Sequence, residues 1–389
     1  MRGEFDSSTE NEALKEAIVA RIAEEGPITF REFMAMALYQ PQLGYYHSPQ
    51  EKMGRGGDYL TSPEVSSIFG ALLGRQLREM WEALEWPSAF QTVEVGAGTG
   101  ALCRDLLRWA RRAAPRFFQA LRYTIVELSP ALAERQRMAL AADQEIGQRV
   151  RWADALPPEM EGCILSNELL DSMPVHRVAV VAGRLQEVYV TWNGRRFVEK
   201  LGPPSAPEIE AYFRQLGLLS GEGCRAEVNL EALRWVQQAA TSLCRGFVLT
   251  FDYGYEAPEL FAPWRRDGTL LCFYRHNPSS DPYARLGRQD MTSHVDFTSV
   301  RRAGEGAGLT TVGMLPQAEF LTNLGIADAL SPPNEADPNL EEYYARRRAV
   351  TELLDPAGLG RIRVLVQAKG VAEIAMTGLG EAARDAAGG

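Results

Sequence analysis

Three features of the sequence predict an α/β chain built on a doubly wound sheet. Short apolar strand candidates recur at Thr92–Val95, Tyr123–Glu127, Val150–Trp152, Cys163–Ser166 and Phe247–Phe251, with helical patterns between the first of them. The first candidate carries Glu94 and runs into Gly96-Ala97-Gly98-Thr99-Gly100. Leu102, Leu106, Leu107 and Ala110 then follow at helical spacing. Two late candidates, Leu309–Met314 and Arg361–Ala368, suit an antiparallel pair that closes the sheet.

Upstream of the sheet, residues 1–10 are expected to be disordered and Asn11 to Ala23 helical. Thr29-Phe30-Arg31-Glu32 is a capping-box pattern opening a second helix to about Tyr39. A polar loop, His47 to Thr61, contains Gly54, Gly56 and Gly57, and Gly54–Ser62 reads as a lid. Ser62-Pro63 supplies an N-cap and a first-turn proline. The helix after it carries Val65, Ile68, Phe69, Leu72, Leu73, Met80 and Trp81 on one face and stops before Pro87.

Between the fourth and fifth strands lies an insertion. Arg177–Val181, Leu185–Trp192 and Arg195–Lys200 alternate, and Asn193-Gly194 is a strong hairpin signal. Glu208–Leu216 and Asn229–Leu243 read as helices, and the chain is loop-rich from the fifth strand to about Gly308. The expected organisation is an N-terminal helical region over 1–88 and a core over 89–176 and 246–370. An inserted β-hairpin and helix region spans 177–245, and a flexible tail 371–389.

The chain has 389 residues and a net charge of −10, which disfavours nucleic-acid binding. Its five cysteines show no C-x-x-C, which suggests free thiols in a reducing compartment. No apolar run approaches the ~20 residues that span a bilayer, so no membrane insertion is expected. Glu4, Asp6, Glu10 and Glu12 suit neither a signal nor a transit peptide, so a cytoplasmic location is expected. His47, His176, His276 and His294 lack zinc spacing, and no metal is expected.

The glycine turn implies a ligand, because glycines allow tight turns and close backbone approach. Gly96, Gly98 and Ala101 satisfy a dinucleotide pattern. Glu94, two residues before Gly96, favours a cationic cofactor such as S-adenosylmethionine over a pyrophosphate. Gly96, Gly98 and Gly100 would line it; a ligand-free turn is the third reading. Glu127, ending the second strand, suits both hydroxyls of a ribose. Asp154, after the third strand, is a candidate for the adenine amino group or a plain surface acid.

Ser166-Asn167-Glu168-Leu169-Leu170-Asp171-Ser172-Met173-Pro174 follows the fourth strand, where open α/β sheets place ligands. Asn-Glu here, instead of the N-P-P-Y of base-amine methylases, disfavours base methylation. In a helical turn Glu168 and Asp171 would share a face and clamp a guanidinium. A helix cap is the alternative. Asp252-Tyr253-Gly254 follows the fifth strand, and His294-Val295-Asp296-Phe297 lies in the loop-rich region.

Together, Gly57-Asp58-Tyr59-Leu60-Thr61-Ser62-Pro63-Glu64, Glu94 to Gly100, Ser166 to Val175, Asp252-Tyr253-Gly254 and Gln289 to Phe297 resemble the MidA-like methyltransferases. That family includes the mitochondrial complex I assembly arginine methyltransferase, and the resemblance covers about residues 27–370. It implies a class I S-adenosylmethionine methyltransferase fold with an N-terminal helical region and α+β insertions. It also implies symmetric dimethylation of an arginine on an NADH dehydrogenase subunit. By position, Gly57, Asp58, Thr61 and Ser62 would border the cofactor with Gly96, Gly98 and Glu127. Asn167, Glu168 and Asp171 would face the substrate, Asn167 also bordering the cofactor, and His294, in a matching motif, is a further catalytic candidate. Ala97 stands where many members carry proline, and Ser172-Met173 where Ala-Leu is common. The expected partner is a protein substrate; a small-molecule methyltransferase and a non-catalytic respiratory assembly factor are the alternatives.

Overall fold

The structure is a computed structural model that describes residues 10–47, 54, 57–218, 221–331, 339–372 and 376–380. Part of the expected lid, Arg55 and Gly56, lies outside the described residues. So do most of the N-terminal segment expected to be disordered and most of the tail. The chain divides into two compact units. Unit 1 is Met1–Tyr59, Leu170–Arg234 and Gly254–Ser299; unit 2 is Leu60–Leu169, Trp235–Tyr253 and Val300–Gly389.

Unit 2 holds a seven-stranded sheet of β1 (Phe90–Val95), β2 (Leu121–Val126), β3 (Val150–Ala153), β4 (Met160–Asn167), β5 (Leu243–Asp252), β6 (Thr310–Pro316) and β7 (Arg363–Lys369). Their spatial order is β6-β7-β5-β4-β1-β2-β3. The first five are mutually parallel, and β7 runs antiparallel to both β5 and β6. In β5, Phe247, Val248, Leu249 and Phe251 are all buried, as expected of a parallel strand covered on both faces. The strand order reverses between β1 and β4, and open sheets bind ligands at such a switch point, beyond the strands' carboxyl ends.

The helix expected from Ser62 onward is broken. Ser62–Val65 forms one turn, Ser66 is extended, and α1 covers Ser67–Ala83. The break arises because Ser66 is itself a cap: its Oγ accepts the Ile68 N–H at 3.3 Å. α1 buries Phe69, Leu72, Leu73, Leu77, Met80 and Trp81, and it packs on α2 (Ala101–Ala113), whose apolar face carries Leu102, Leu106 and Leu107. α3 (Pro130–Ala141) starts at Ser129, whose Oγ accepts the Leu132 N–H at 3.4 Å.

Unit 1 contains a five-stranded antiparallel sheet. Ile28–Thr29, Arg184–Trp192, His176–Val181 and Arg225–Val228 lie in that order, and Phe197–Gly202 also pairs with Arg184–Trp192. The Asn193-Gly194 turn forms: Asn193 Oδ1 accepts the N–H groups of Arg195 and Arg196 at 3.0 and 2.9 Å. Helices Glu12–Glu25 and Phe30–Tyr39 cover the sheet with Leu14, Ile18, Phe30, Phe33 and Met34. Thr29 caps the second helix, accepting from Glu32 N at 3.1 Å. The stretch read as loop-rich holds a small sheet instead, with Leu271–Tyr274 between Asn277–Ser279 and Asp290–Thr292, and a helix, Phe297–Gly306.

Candidate active site

In unit 2 the glycine turn hangs from the carboxyl end of β1. Gly96, Gly98 and Gly100 have φ of 69°, 55° and 81°, the left-handed region where a Cβ is strained. Gly100 also starts α2, whose first N–H groups receive no side-chain cap there. Beneath the turn, Glu94 is buried, and Tyr123 OH donates to its Oε2 at 2.7 Å. Burial pushes the Glu94 carboxyl up to about 7; the Tyr123 hydrogen bond opposes this and the nearby Glu127 charge adds to it. Tyr123 is itself held well above its ordinary value, first by burial and then by the Glu94 charge.

Glu127 follows β2. Its Oε1 accepts Ser129 N at 2.9 Å and its Oε2 accepts Gln136 Nε2 at 3.1 Å. Gln136 on α3 is fully buried and ties three parts together. Its Nε2 also donates to Gly98 O at 3.0 Å, and its Oε1 accepts the Trp152 indole N–H at 2.9 Å. Indole nitrogen can only donate, so the amide orientation is determined. The sequence reading missed Gln136. Its signal was a polar residue on the stripe Ala133, Gln136, Leu140, the buried face of α3. Asp154 is exposed beyond β3, and Leu128 beside Glu127 is 70% exposed.

The β4 terminus lies next to the glycine turn, since Val95 pairs with Ser166. The residues after Asn167 form bends and a turn, not the helical turn that would align Glu168 with Asp171. Glu168 adopts φ 50°, and its N–H donates to Phe251 O at 2.8 Å. Its Oε1 accepts Asn167 Nδ2 at 3.1 Å and Ser62 N at 3.4 Å. Asn167 Oδ1 is buried and has no hydrogen-bond partner among the described residues. Ser62 Oγ donates to Gln317 Oε1 at 2.9 Å, which fixes the start of its helical turn. Thr61, just before it, is also buried, and Glu64 bonds the glycine-turn residue Thr99.

Four candidates belong to unit 1. Both Asp58 oxygens have partners there, Tyr45 OH at 2.8 Å and Arg275 N at 2.6 Å, and Gly57 beside it is buried. Asp171 is buried, and its carbonyl accepts Ser293 N at 2.9 Å. The His294 ring stacks edge-on to Tyr255 at 5.2 Å, and the His294 backbone N–H donates to Thr269 Oγ1 at 3.0 Å. Among the described residues no group of three or more His, Cys, Asp or Glu could hold a metal ion.

A family model described as "Putative S-adenosyl-L-methionine-dependent methyltransferase" matches residues 72–315. The chain belongs to this family. A crystal structure from Burkholderia thailandensis, bound to S-adenosyl-homocysteine, superposes with a TM-score of 0.88 at 33% identity, covering 98% of each chain. The methyltransferase is also 31% identical to the Drosophila melanogaster protein arginine methyltransferase NDUFAF7 homolog, covering 92% of this chain and 85% of that one. Identity to mouse NDUFAF7, likewise named a protein arginine methyltransferase, is 31%, covering 79% and 73%. These findings decide the cofactor as S-adenosylmethionine over a dinucleotide. The left-handed glycine turn and the buried Glu94 beneath it fit that group. They also correct one expectation: the fly, mouse and human relatives are named mitochondrial, against the cytoplasmic location read from the acidic N-terminus. No helix among the described residues is long and apolar enough to cross a membrane.

Proposed function

We propose that this methyltransferase N-methylates an arginine side chain of a protein. The observation that carries the reading is the acceptor edge at the end of β4. There a buried Asn167 Oδ1 without a partner among the described residues stands beside the Glu168 carboxylate. An unpaired buried acceptor costs about 1–3 kcal/mol, and a ligand that donates hydrogen bonds removes that cost. A guanidinium has only donors, five N–H bonds in a planar fork. The names of the fly and mouse relatives support the same acceptor.

S-adenosylmethionine supplies an electrophilic methyl group on its sulfonium. The chain's residues bind and orient. Gly96, Gly98 and Gly100 present backbone to the cofactor, Glu94 faces its amino group, Glu127 its ribose and Asp154 its adenine. Thr61 and Ser62 border it. Asn167 and Glu168 hold the guanidinium so that one nitrogen faces the methyl. Orientation of this kind can supply ~7–11 kcal/mol of a barrier. Gly57 and Asp58 toward the cofactor, and Asp171 and His294 toward the acceptor, take roles that rest on sequence position alone. The finer substrate we propose is an NADH dehydrogenase subunit, on the family resemblance of Gly57–Glu64 and Asn167–Pro174.

The test is mass spectrometry of proteins incubated with the enzyme and methyl-labelled S-adenosylmethionine. Labelled methylarginine is the expected product. Label confined to a small molecule, or to another side chain, would overturn the arginine reading. Cofactor binding without any transfer would favour an assembly factor.

A further inference from the structure

Glu168 stands in an unusual backbone state. Its φ of 50° places an L-residue with a long side chain in the left-handed region, where glycine and asparagine are at ease. Such a conformation persists only where the surroundings over-determine it. Two hydrogen bonds donated by backbone N–H groups bracket the residue, one to a carbonyl and one to a carboxylate. Its own N–H donates to Phe251 O at 2.8 Å, and the next N–H, that of Leu169, donates to Asp252 Oδ2 at 3.1 Å. The other carboxylate oxygen of Asp252 accepts Tyr253 N at 2.8 Å. Phe251 pairs with Asn167 in the sheet, so Asp252 stands one residue beyond the last position of β5 that pairs with β4, while on its other side it still pairs with Arg363 of β7. Its side chain is fully buried.

We infer that Asp252 is a positioning residue for methyl transfer, pinning the strained turn that presents Asn167 and Glu168. Each Asp252 carboxyl oxygen accepts from a backbone N–H, Leu169 in the turn after β4 and Tyr253 in the turn after β5. With Leu169 N held, Glu168 cannot relax toward the ordinary extended or helical regions without giving up that bond. Its side chain therefore stays where Oε1 meets Asn167 Nδ2 and Ser62 N, with Asn167 Oδ1 left without a hydrogen-bond partner among the described residues. The part played in transfer rests on the proposed acceptor roles of Asn167 and Glu168; the pinning does not. A plain turn cap that adds stability alone is the competing account.

Asp252→Asn keeps the shape and replaces one acceptor oxygen by a donor. With an arginine-containing protein acceptor, kcat per folded enzyme should fall about 100-fold, the scale of a 1 Å misplacement. The acceptor KM and the S-adenosylhomocysteine dissociation constant should stay within about threefold. A double-mutant cycle reads the pin without activity. Glu168→Gly should raise Tm in the natural protein, by relieving the left-handed strain, and should raise it clearly less in the Asp252→Asn background. Asp252→Ser, which retains one acceptor oxygen, gives the same comparison should the asparagine variant not fold. Unchanged kcat, loss of S-adenosylhomocysteine binding, or an equal Glu168→Gly gain in both backgrounds would each overturn the inference. If the natural enzyme methylates no arginine, the acceptor reading fails, and the cycle alone decides whether Asp252 pins the turn.

Discussion

Two buried polar clusters, one in each unit, are built on opposite terms. In unit 1, Arg177 pairs with Glu227 at 3.2 Å and Glu199 at 3.3 Å, and its guanidinium lies 5.2 Å from the Phe30 ring. Glu227 also accepts Thr269 N at 2.7 Å, while Glu199 accepts Tyr283 OH at 2.9 Å and Arg225 at 2.6 Å. Every charge there is answered from inside the unit. In unit 2, the turn after β4 holds a left-handed glutamate and a buried acceptor with no partner among the described residues. A saturated network stabilises a fold and has little left to offer a ligand. A strained turn with an unmatched acceptor costs stability and is explained by something that binds there.

The sharpest way to break this contrast is Arg177→Ala. Removing one partner from a buried network strands the opposing carboxylates, so a loss of about 3–5 kcal/mol is expected in urea unfolding. S-adenosylhomocysteine affinity of the folded protein should not change. Glu168→Gln should do the reverse. Unfolding should be nearly unaffected, while methyl transfer falls by about 2–4 kcal/mol in transition-state terms. A Glu168→Gln enzyme that unfolds early yet transfers normally would erase the distinction between the two clusters.

Glu94 offers a subtler test, because it is a buried acid under a ligand turn. Its carboxyl is raised from 4.5 to about 7, so between those values the folded protein holds a proton that the unfolded chain has released. Stability from this group is therefore full below about 4.5 and is lost as pH rises through 7. Subtracting a Glu94→Gln profile from the natural one isolates the effect, on the order of 3 kcal/mol. A flat difference between pH 4 and 8 in cofactor-free protein would show that Glu94 titrates in the fold as it does in the unfolded chain, and that burial does not raise it.

Much of the sheet was legible because its signals are local. The five parallel strands, the closing pair, the Thr29–Glu32 cap and the Asn193-Gly194 hairpin are all written within a few residues. What escaped depends on distant partners. Ile28–Thr29 is a strand only because Val190 and Tyr189 lie opposite, and Arg225–Val228 only because His176–Ala179 does. Ser66 hid its break inside a continuous apolar pattern. At the site, the glycine turn and Glu127 stood out, yet their common tie, Gln136, did not, since a glutamine in a helix carries no motif. The helical turn expected after Asn167 failed for a similar reason. Phe251 and Asp252, more than eighty residues away, dictate that backbone.

The position of β7 has a consequence for synthesis. Last in sequence among the described strands, it lies between β5 and β6, not at the rim of the sheet. A growing chain can pair β1 to β5 early, but β5 keeps an open edge and β6 has no neighbour until Lys369 has emerged from the ribosome. An open edge of apolar residues such as Val248, Leu249 and Phe251 is a template for pairing between chains. A stop codon anywhere before Arg363 would leave that edge open permanently, so such truncations should aggregate rather than fold into a smaller enzyme.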